Sequence, residues 1–227
     1  MPAIMPEAPC PAPVILRRTD AWVAVDKPAG IAAIPEKAGD TGCLQSRLER
    51  ELGRRVWVVH RLDKEVSGVI LYALSAEAHR FLNIAFEQRR VSKLYLAGAA
   101  GVPKSDSGEI DLPLREFGSG RIGVDREKGK PCLTRWRVLE RRADRTLLEM
   151  EPHTGRRHQL RAHAYALGHP LLGDPRYGDK AAQSRFPRLL LHARLLDFPA
   201  PEGGRVTVEC PPGEDFLAAW NTPCPPA

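Results

Sequence analysis

The segment His60–Asp63, which reads HRLD, could place a reactive carboxylate at the end of a strand. A short apolar run precedes it, and Ser67-Gly68 and a second apolar run follow it. Loops at strand ends often hold reactive groups, because they are exposed yet anchored by a rigid core. The alternative is a surface loop in which Asp63 caps a turn, and the residue types of this segment alone favour that alternative.

A second polar segment, Thr154–His163, reads TGRRHQLRAH. On a helix, Arg157 and Arg161 would be i,i+4 neighbours, and His158 would lie three residues before Arg161. Cationic side chains at a helix start suit phosphate groups, whereas a solvated helix face is an equal alternative. The segment is not a zinc site, because His158 and His163 are five residues apart rather than the three or four that share a helix face.

A third segment, Lys93–Tyr95, lies in an apolar run of strand length. In a strand, Lys93 and Tyr95 would share one face. A tyrosine on a polar face can stack on a base, although a half-buried strand position is the more common setting for tyrosine. The sequence has no P-loop, dinucleotide-binding, nucleophile-elbow or paired-cysteine motif, so it predicts neither a cofactor nor a metal.

These segments must be positioned by strands and helices that do not alternate regularly. Patterns typical of strands occur at residues 14–17, 22–26, 56–59, 68–74, 93–99, 134–139, 146–151, 189–198 and 206–209. Helices are predicted over residues 41–52, 75–90, 156–167 and 214–220, and hairpins or ordered loops over 101–131. The pattern is typical of a mixed α/β (α+β) protein with a central, largely antiparallel sheet and flanking helices.

The 227 residues have the length of one domain, which we place at residues 14–220. The proline-rich residues 1–13 and the last residues, 221–227, are predicted to be disordered tails. No run approaches the roughly 18 apolar residues of a membrane span, and no signal peptide is recognisable. The five cysteines form no CxxC pair, which favours free thiols and a cytoplasmic location.

The net charge is +6, and 26 of the 34 basic residues are arginine. Arginine binds phosphate bidentately and stacks on bases, so this composition is typical of proteins that bind nucleic acid. A GC-rich genome would give the same arginine excess without any such function, and composition alone does not separate the two.

Taken together and in chain order, these segments resemble the RluA family of RNA pseudouridine synthases, most closely its short members without an S4 domain. The resemblance spans about residues 14–216. The matching segments are Val25–Gly30, His60–Asp63 with Ser67-Gly68, Lys93–Tyr95, Gly129–Pro131 with Thr134, Thr154–Arg161, Gly168–Pro170 with Gly173-Asp174, and Leu191–Ala193.

The resemblance implies the pseudouridine synthase fold, with a catalytic cleft in a single domain. It implies that specific uridines of structured rRNA, tRNA stem-loops or both are isomerised to pseudouridine by base flipping, without cofactor or metal. RNA is then the partner, and we expect a monomer with no obligatory protein partner and no membrane contact.

The same resemblance assigns roles to individual residues. Asp63 would be the nucleophile, Tyr95 the side chain packed on the target base, and Arg161 the cationic partner of Asp63. Arg61 would enter the RNA stack as the uridine leaves it. The remaining RNA-binding residues would be His60, Arg156 and His158.

One departure from the family pattern and two rival functions remain. Val66 stands where the family usually has threonine, so a hydroxyl is lost, and we expect activity to survive. The main rival is a non-catalytic RNA-binding protein that keeps the fold. The set Asp63, Tyr95 and Arg161 argues against it, because binding alone does not need an Asp placed among phosphates. A metal-dependent nuclease is the second rival, and the sequence shows no clustered carboxylates for it.

Overall fold

The computed structural model describes residues 12–37, 39–118 and 120–222. The strands in these residues are β1 Val14–Arg18, β2 Trp22–Lys27, β3 Trp57–Val58, β4 Ser67–Ala73, β5 Ser92–Ala100, β6 Ser107–Asp111, β7 Leu114–Glu116, β8 Ile122–Val124, β9 Leu133–Arg141, β10 Arg145–Pro152, β11 Leu191–Pro199 and β12 Arg205–Glu209. The helices are α1 Leu44–Leu52, α2 Ala76–Glu87, α3 Gln159–Ala166, α4 Lys180–Gln183 and α5 Glu214–Asn221.

Ten of the strands form one sheet in the order β1-β2-β4-β11-β5-β10-β9-β6, with β12 paired to β11 and β3 paired to β4. The pairing of β4 with β11 is parallel, and all other pairs of this sheet are antiparallel. Strands β7 and β8 form a separate antiparallel hairpin. The prediction of a mixed α/β protein with a largely antiparallel sheet is therefore confirmed.

The centre of the sheet brings the HRLD loop close to β11. All seven residues of β4 are buried, as expected for an apolar run in the middle of a sheet. Gly68 adopts φ 110°, and a Cβ atom at this position would lie 2.2 Å from the carbonyl oxygen of Ala193. Glycine is needed here because β4 and β11 approach each other directly after the loop that carries Asp63.

Two helices, α1 and α3, begin three residues later than predicted, and α2 ends at Glu87 rather than at residue 90. The cap of α2 is as predicted: the Ser75 hydroxyl accepts a hydrogen bond from the backbone N–H of Ala78 (3.1 Å). Helix α1 begins at Leu44 rather than residue 41, with Cys43 as its N-cap. The short helix α4 was not predicted, because four residues carry too little periodicity to be recognised.

The start of α3 corrects one prediction about the polar segment. The helix begins at Gln159 rather than residue 156, because His158 has a left-handed backbone (φ 51°) that interrupts helical geometry. Arg157 therefore precedes the helix, and the predicted helical neighbours Arg157 and Arg161 are not on one helix face. Gln159, Arg161 and His163 are buried, so α3 presents polar groups to the interior rather than a solvated face.

The predicted tails fall largely outside the described residues, which begin at 12 and end at 222. Helix α5 continues to Asn221, one residue past the boundary predicted at 220, and the Asn221 side chain accepts a hydrogen bond from Arg142 (2.9 Å). In the described part of the chain, no helix is long and apolar enough to cross a membrane.

Candidate active site

A cleft of about 940 Å³ opens where the HRLD loop, the end of α2, strand β5 and the turn before α3 meet. The structure brings all seven residues predicted for the site to this cleft: His60, Arg61, Asp63, Tyr95, Arg156, His158 and Arg161. Residues that are up to about 100 positions apart in the sequence thus line one surface, and this placement is what the chemistry of the site requires.

The loop that carries Asp63 is held by backbone hydrogen bonds. The N–H of Val66 donates to the carbonyl of Asp63 (3.1 Å), which closes a turn. The carbonyl of the next residue, Lys64, accepts from the N–H of Gly30 (2.8 Å) and from the Lys27 ammonium (3.1 Å). Val66 itself is buried beside the cleft. The turn that presents Asp63 is therefore fixed without a side-chain hydroxyl at position 66.

Lys27 is a supporting residue to which the sequence assigned no role. Its fully buried Nζ donates to the carbonyls of Pro28 (2.9 Å), Ile31 (2.7 Å) and Lys64 (3.1 Å). Three carbonyl acceptors need three N–H donors, which only the ammonium form supplies. Burial lowers the pKa of Lys27 to about 7, although the carboxylates of Glu65 and Asp63 oppose that shift.

Arg161 is the buried cation beside Asp63. Its Nη1 lies 3.3 Å from Asp63 Oδ2 and 3.3 Å from Glu65 Oε2, while the side chain is only 1% exposed. Burial disfavours the charge of Arg161, but the hydrogen-bonded carboxylate of Asp174, with Asp63 and Glu65, outweighs burial and raises the pKa. Arg161 is therefore a permanent positive charge beneath the Asp63 carboxylate.

Asp174 holds Arg161 in place, and sequence reasoning missed this function. Its two oxygens accept from Nε and Nη2 of Arg161, both at 2.7 Å, in a bidentate pair. Oδ1 also accepts from the backbone N–H groups of Arg176 (2.9 Å) and Tyr177 (3.2 Å). The available signal was the segment Gly173-Asp174, which matched the family pattern but was given no role.

His158 completes the surroundings of Asp63. Its Nε2 lies 3.7 Å from Asp63 Oδ2, and the side chain is almost fully buried. The contacts of Asp63 with His158 and Arg161 both fall on Oδ2. Asp63 itself lines the cleft, so its carboxylate, which has both of these partners on one oxygen, is within reach of a molecule bound there.

Tyr95 enters the cleft from β5, where it pairs with Met150 of β10. Burial, and then the charge of Asp63, raise the pKa of its hydroxyl, so the ring is a neutral phenol at neutral pH. Lys93, two residues earlier on the strand, also lines the cleft, and burial lowers its pKa. The predicted shared face of Lys93 and Tyr95 is thus present.

The other predicted RNA-binding residues lie at different depths. His60 accepts a hydrogen bond at Nε2 from the backbone N–H of Leu71 (3.0 Å) and stacks on Phe86 with ring centroids 4.8 Å apart. Burial, and then the charge of Lys93, lower the pKa of His60 to about 3, so it is neutral at neutral pH. Arg61 and Arg156 are exposed at the cleft. The neutral, stacked His60 therefore shapes the wall of the cleft, and Arg61 and Arg156 give the cleft positive charge.

Metal-ligand geometry gives no competing interpretation of the cleft. In the residues that the structure describes, no three His, Cys, Asp or Glu side chains cluster so that they could hold a metal ion. The carboxylate of Asp174 is fully engaged by Arg161 and backbone N–H groups, and Asp63 and Glu65 both face Arg161.

Comparisons with known proteins indicate one family. Residues 21–166 match the family model described as RNA pseudouridylate synthase. The dual-specificity RNA pseudouridine synthase RluA of Escherichia coli is 39% identical over 203 residues, covering 87% of this chain and 92% of the relative. An uncharacterised RNA pseudouridine synthase of Zymomonas mobilis is 38% identical over 193 residues, covering 82% and 88%.

Solved structures show the same fold. The human RNA pseudouridylate synthase domain-containing protein 1 superposes with a TM-score of 0.78 at 28% identity, covering 97% of this chain and 100% of that chain. The human RNA pseudouridylate synthase domain-containing protein 4 superposes with a TM-score of 0.76 at 27% identity, covering 91% of each chain. Sequence and fold together show that the chain belongs to the RluA family of RNA pseudouridine synthases, which are isomerases acting on RNA.

Proposed function

We propose that this enzyme isomerises specific uridines of structured rRNA, tRNA stem-loops or both, with Asp63 as the nucleophile and without cofactor or metal. The observation that carries the proposal is the Asp63 carboxylate itself. It lies in a cleft with arginines exposed at its surface, and one of its oxygens is held by buried Arg161. A pure RNA-binding surface would gain nothing from an anion at this place.

The proposed reaction conserves all atoms of the uridine except one exchanged proton. Asp63 assists cleavage of the N1–C1′ bond, either by attack at C1′ or by promoting elimination. The base turns, and C5 bonds to C1′ while the Asp63–C1′ bond breaks on the attack route, or while the C2′ proton removed earlier returns on the elimination route. C5 then loses its proton to water, and N1 gains a proton. Tyr95 packs on the base while it is detached, so the base stays in register for the new bond.

Access to the uridine requires base flipping. A stacked uridine cannot turn about its glycosidic bond, and flipping it out costs a few kcal/mol of lost stacking. Arg61 is exposed at the cleft beside Asp63 and can insert its planar guanidinium into the gap that the uridine leaves. Exposed Arg156 and the near-buried His158 would contact the RNA backbone or sugar next to the flipped nucleotide.

The substrate class follows from the names of the relatives. The relative from Escherichia coli is a dual-specificity enzyme, and the ribosomal large subunit pseudouridine synthase D of Pseudomonas aeruginosa is 38% identical, with 66% of that protein covered. The second name supports large-subunit rRNA as a substrate of this chain, and the first supports more than one RNA substrate. The proposal of tRNA stem-loops rests on the resemblance of the sequence segments. We further propose that residues 14–220 are the catalytic domain and that the enzyme acts as a cytoplasmic monomer.

The direct test uses bulk rRNA and tRNA that lack modifications and carry tritium at uridine C5. Release of tritium into water measures loss of the C5 proton, and nucleoside analysis of the same RNA measures pseudouridine. We expect both signals from at least one RNA. Binding of both RNAs with neither signal would favour the rival function, a non-catalytic RNA-binding protein.

Replacing Arg61 by alanine should slow the reaction most where unstacking is hardest. We expect about a tenfold lower single-turnover rate on a stem-loop, which corresponds to about 1.4 kcal/mol of lost stacking compensation. On an RNA whose target uridine is flanked by abasic nucleotides, the variant should approach the wild-type rate. Arg50→Ala, an exposed arginine of α1 that does not line the cleft, is the charge-matched control. Equal losses on both RNAs would contradict the stacking role.

Replacing Val66 by threonine should change the rate less than about twofold. The turn is already closed by the Val66 N–H to Asp63 carbonyl bond, and burial of an added hydroxyl costs about what one hydrogen bond returns. Single-turnover rates of wild type and Val66→Thr on one RNA check this. An inert wild type beside an active Val66→Thr would show that the hydroxyl is required.

Chelation of metals should leave turnover intact. The proposed steps use only side chains and water, so EDTA should not reduce tritium release when monovalent salt keeps the RNA folded. A nuclease dependent on divalent metal would lose all activity and would cleave the RNA before chelation. If EDTA abolishes tritium release, and magnesium restores it but spermidine does not, the prediction is contradicted.

A further inference from the structure

Tyr177 links the β7–β8 hairpin to the surroundings of Asp63, and the reaction as described gives it no role. Its side chain is 1% exposed. Its hydroxyl oxygen lies 3.2 Å from the backbone nitrogen of Ile122 in β8 and 3.2 Å from Nδ1 of His158. Its ring lies under the guanidinium of Arg161, 5.5 Å from the centroid. Tyr177 therefore touches two of the groups that surround the nucleophile.

The hydrogen bonds of Tyr177 define which nitrogen of His158 carries a proton. The N–H of Ile122 can only donate, so the tyrosine oxygen accepts there. Among the described residues, Nδ1 of His158 is the one acceptor within reach of the buried hydroxyl hydrogen, and donation to it leaves that hydrogen paired. An imidazole nitrogen that accepts is unprotonated. In neutral His158 the hydrogen must then be on Nε2.

The opposite side of the ring leads to the same tautomer independently. Nε2 of His158 lies 3.7 Å from Oδ2 of Asp63. An N–H facing a carboxylate oxygen is attractive, whereas a lone pair facing it would be repulsive. Both ends of the imidazole therefore favour the Nε2–H form.

The backbone conformation of His158 also points to contacts that hold the residue in place. Its φ of 51° is uncommon for a residue with a side chain and persists only where surrounding contacts hold it. The ring is packed edge-on against Tyr177, at 5.9 Å and 83°. Strain of this kind, at the base of a catalytic cleft, is consistent with a side chain that must point in one direction.

Burial is the main effect that keeps His158 neutral. It lowers the pKa of the imidazole, and the cations nearby act in the same sense, while Asp63 opposes them. Four charged groups face His158. They are Asp63 of the HRLD loop, Arg157 of the turn before α3, Arg161 of α3 and Arg176 of the loop after α3.

We propose that Tyr177 is a positioning residue, which donates to Nδ1 of His158 and so keeps the Nε2–H directed at Asp63. This inference rests on the proposed role of Asp63 as the nucleophile. The Nε2–H and Arg161 hold the same oxygen, Oδ2, and thereby orient Oδ1 towards the substrate. Loss of the tyrosine hydroxyl frees His158 to adopt the other tautomer, or to gain a proton and pair with Asp63.

The first test is the histidine tautomer in the RNA-free protein. Protein labelled with ¹⁵N at histidine reports which ring nitrogen carries hydrogen, and the His158 signals are assigned with His158→Asn, a residue that tolerates positive φ. We expect Nε2–H at neutral pH in wild type, and a mixture of tautomers or a protonated ring in Tyr177→Phe. Wild-type protein with hydrogen on Nδ1 would overturn the inference, whether or not any variant folds.

The second test is the step that Tyr177→Phe affects. We expect about a tenfold lower single-turnover rate with RNA affinity unchanged, in the range seen when partners of site residues are lost. The acid limb of the rate–pH profile should move to higher pH, because a hydrogen bond donated to the neutral imidazole is gone. Tyr72→Phe removes another buried tyrosine hydroxyl, bonded to the Ala33 carbonyl (2.7 Å) away from the cleft, and should leave rate and profile unchanged.

The double variant tests whether Tyr177 acts through His158. In the His158→Asn background, Tyr177→Phe should add no further loss. An additive loss, or a loss equal to that of Tyr72→Phe, would overturn the inference. The tautomer is measured without RNA, so it is independent of activity. If wild type has the Nε2–H form but is inert on rRNA and tRNA, the proposed function is contradicted and the hydrogen bond from Tyr177 to His158 is not.

Discussion

Replacing Asp63 by asparagine should reduce the single-turnover rate by at least about 10³-fold, which is the scale of losing a nucleophile. Asparagine keeps the size of the side chain but lacks the anionic oxygen that we propose assists cleavage of the N1–C1′ bond. RNA binding should persist, because the substitution removes a negative charge and leaves the exposed arginines of the cleft, Arg61 and Arg156, in place. The measurement is tritium release under single-turnover conditions, with affinity determined separately.

The site offers a matched control in Glu65. Its Oε2 lies 3.3 Å from the same Arg161 nitrogen that contacts Asp63, yet Glu65 does not line the cleft. Glu65→Gln should therefore cost less than about tenfold, since its charge helps to balance Arg161 and Lys27 without lining the cleft. If Glu65→Gln is inert and Asp63→Asn is active, the nucleophile has been assigned to the wrong carboxylate.

Replacing Asp174 by asparagine should be the most destabilising single substitution in the site. Arg161 and Asp174 are buried and joined by two hydrogen bonds of 2.7 Å. Breaking a buried pair by removing one partner costs about 3–5 kcal/mol, because the remaining charge is left without compensation. Arg161 keeps single contacts to Asp63 and Glu65, so we expect the lower end, about 3 kcal/mol.

The measurement is urea unfolding of wild type and Asp174→Asn, with the free energy compared at constant m-value. Glu109→Gln breaks the exposed pair of Glu109 with Arg135 (2.6 Å) by the same chemical change, and its midpoint should stay close to that of wild type. Equal midpoints for the two variants would show that Arg161 does not depend on Asp174. The rate of Asp174→Asn should also fall, because Arg161 is no longer fixed beneath Asp63.

The position of the HRLD loop was predictable because its signals are local: an apolar strand precedes it, and Ser67-Gly68 and a second apolar run follow within a few residues. The residue types alone favoured a turn-capping Asp63, and its role as the nucleophile came only from the family resemblance and stays a prediction. The sheet and most helices followed from the same kind of local pattern. The class of fold could therefore be predicted from the hydrophobic periodicity and from the turn residues that bound the strands and helices.

The contacts that support the site do not follow from local patterns, because they join distant parts of the chain. No spacing rule connects Lys27 with the carbonyl of Lys64, or Arg161 with Asp174. The pairing of Arg161 with Asp63 was expected only from the family resemblance. The start of α3 was misplaced for a related reason. The tertiary contacts of His158 hold a left-handed backbone that its residue type would not predict.

The most direct test of the whole account is one incubation with two readouts. Wild type and Asp63→Asn are mixed with C5-tritiated, unmodified rRNA and tRNA, and both released tritium and pseudouridine are counted. We expect equal amounts of tritium and pseudouridine with wild type, and neither with Asp63→Asn although it still binds the RNA. Pseudouridine formed by Asp63→Asn at the wild-type rate, or none formed by wild type on any RNA that it binds, would contradict the account.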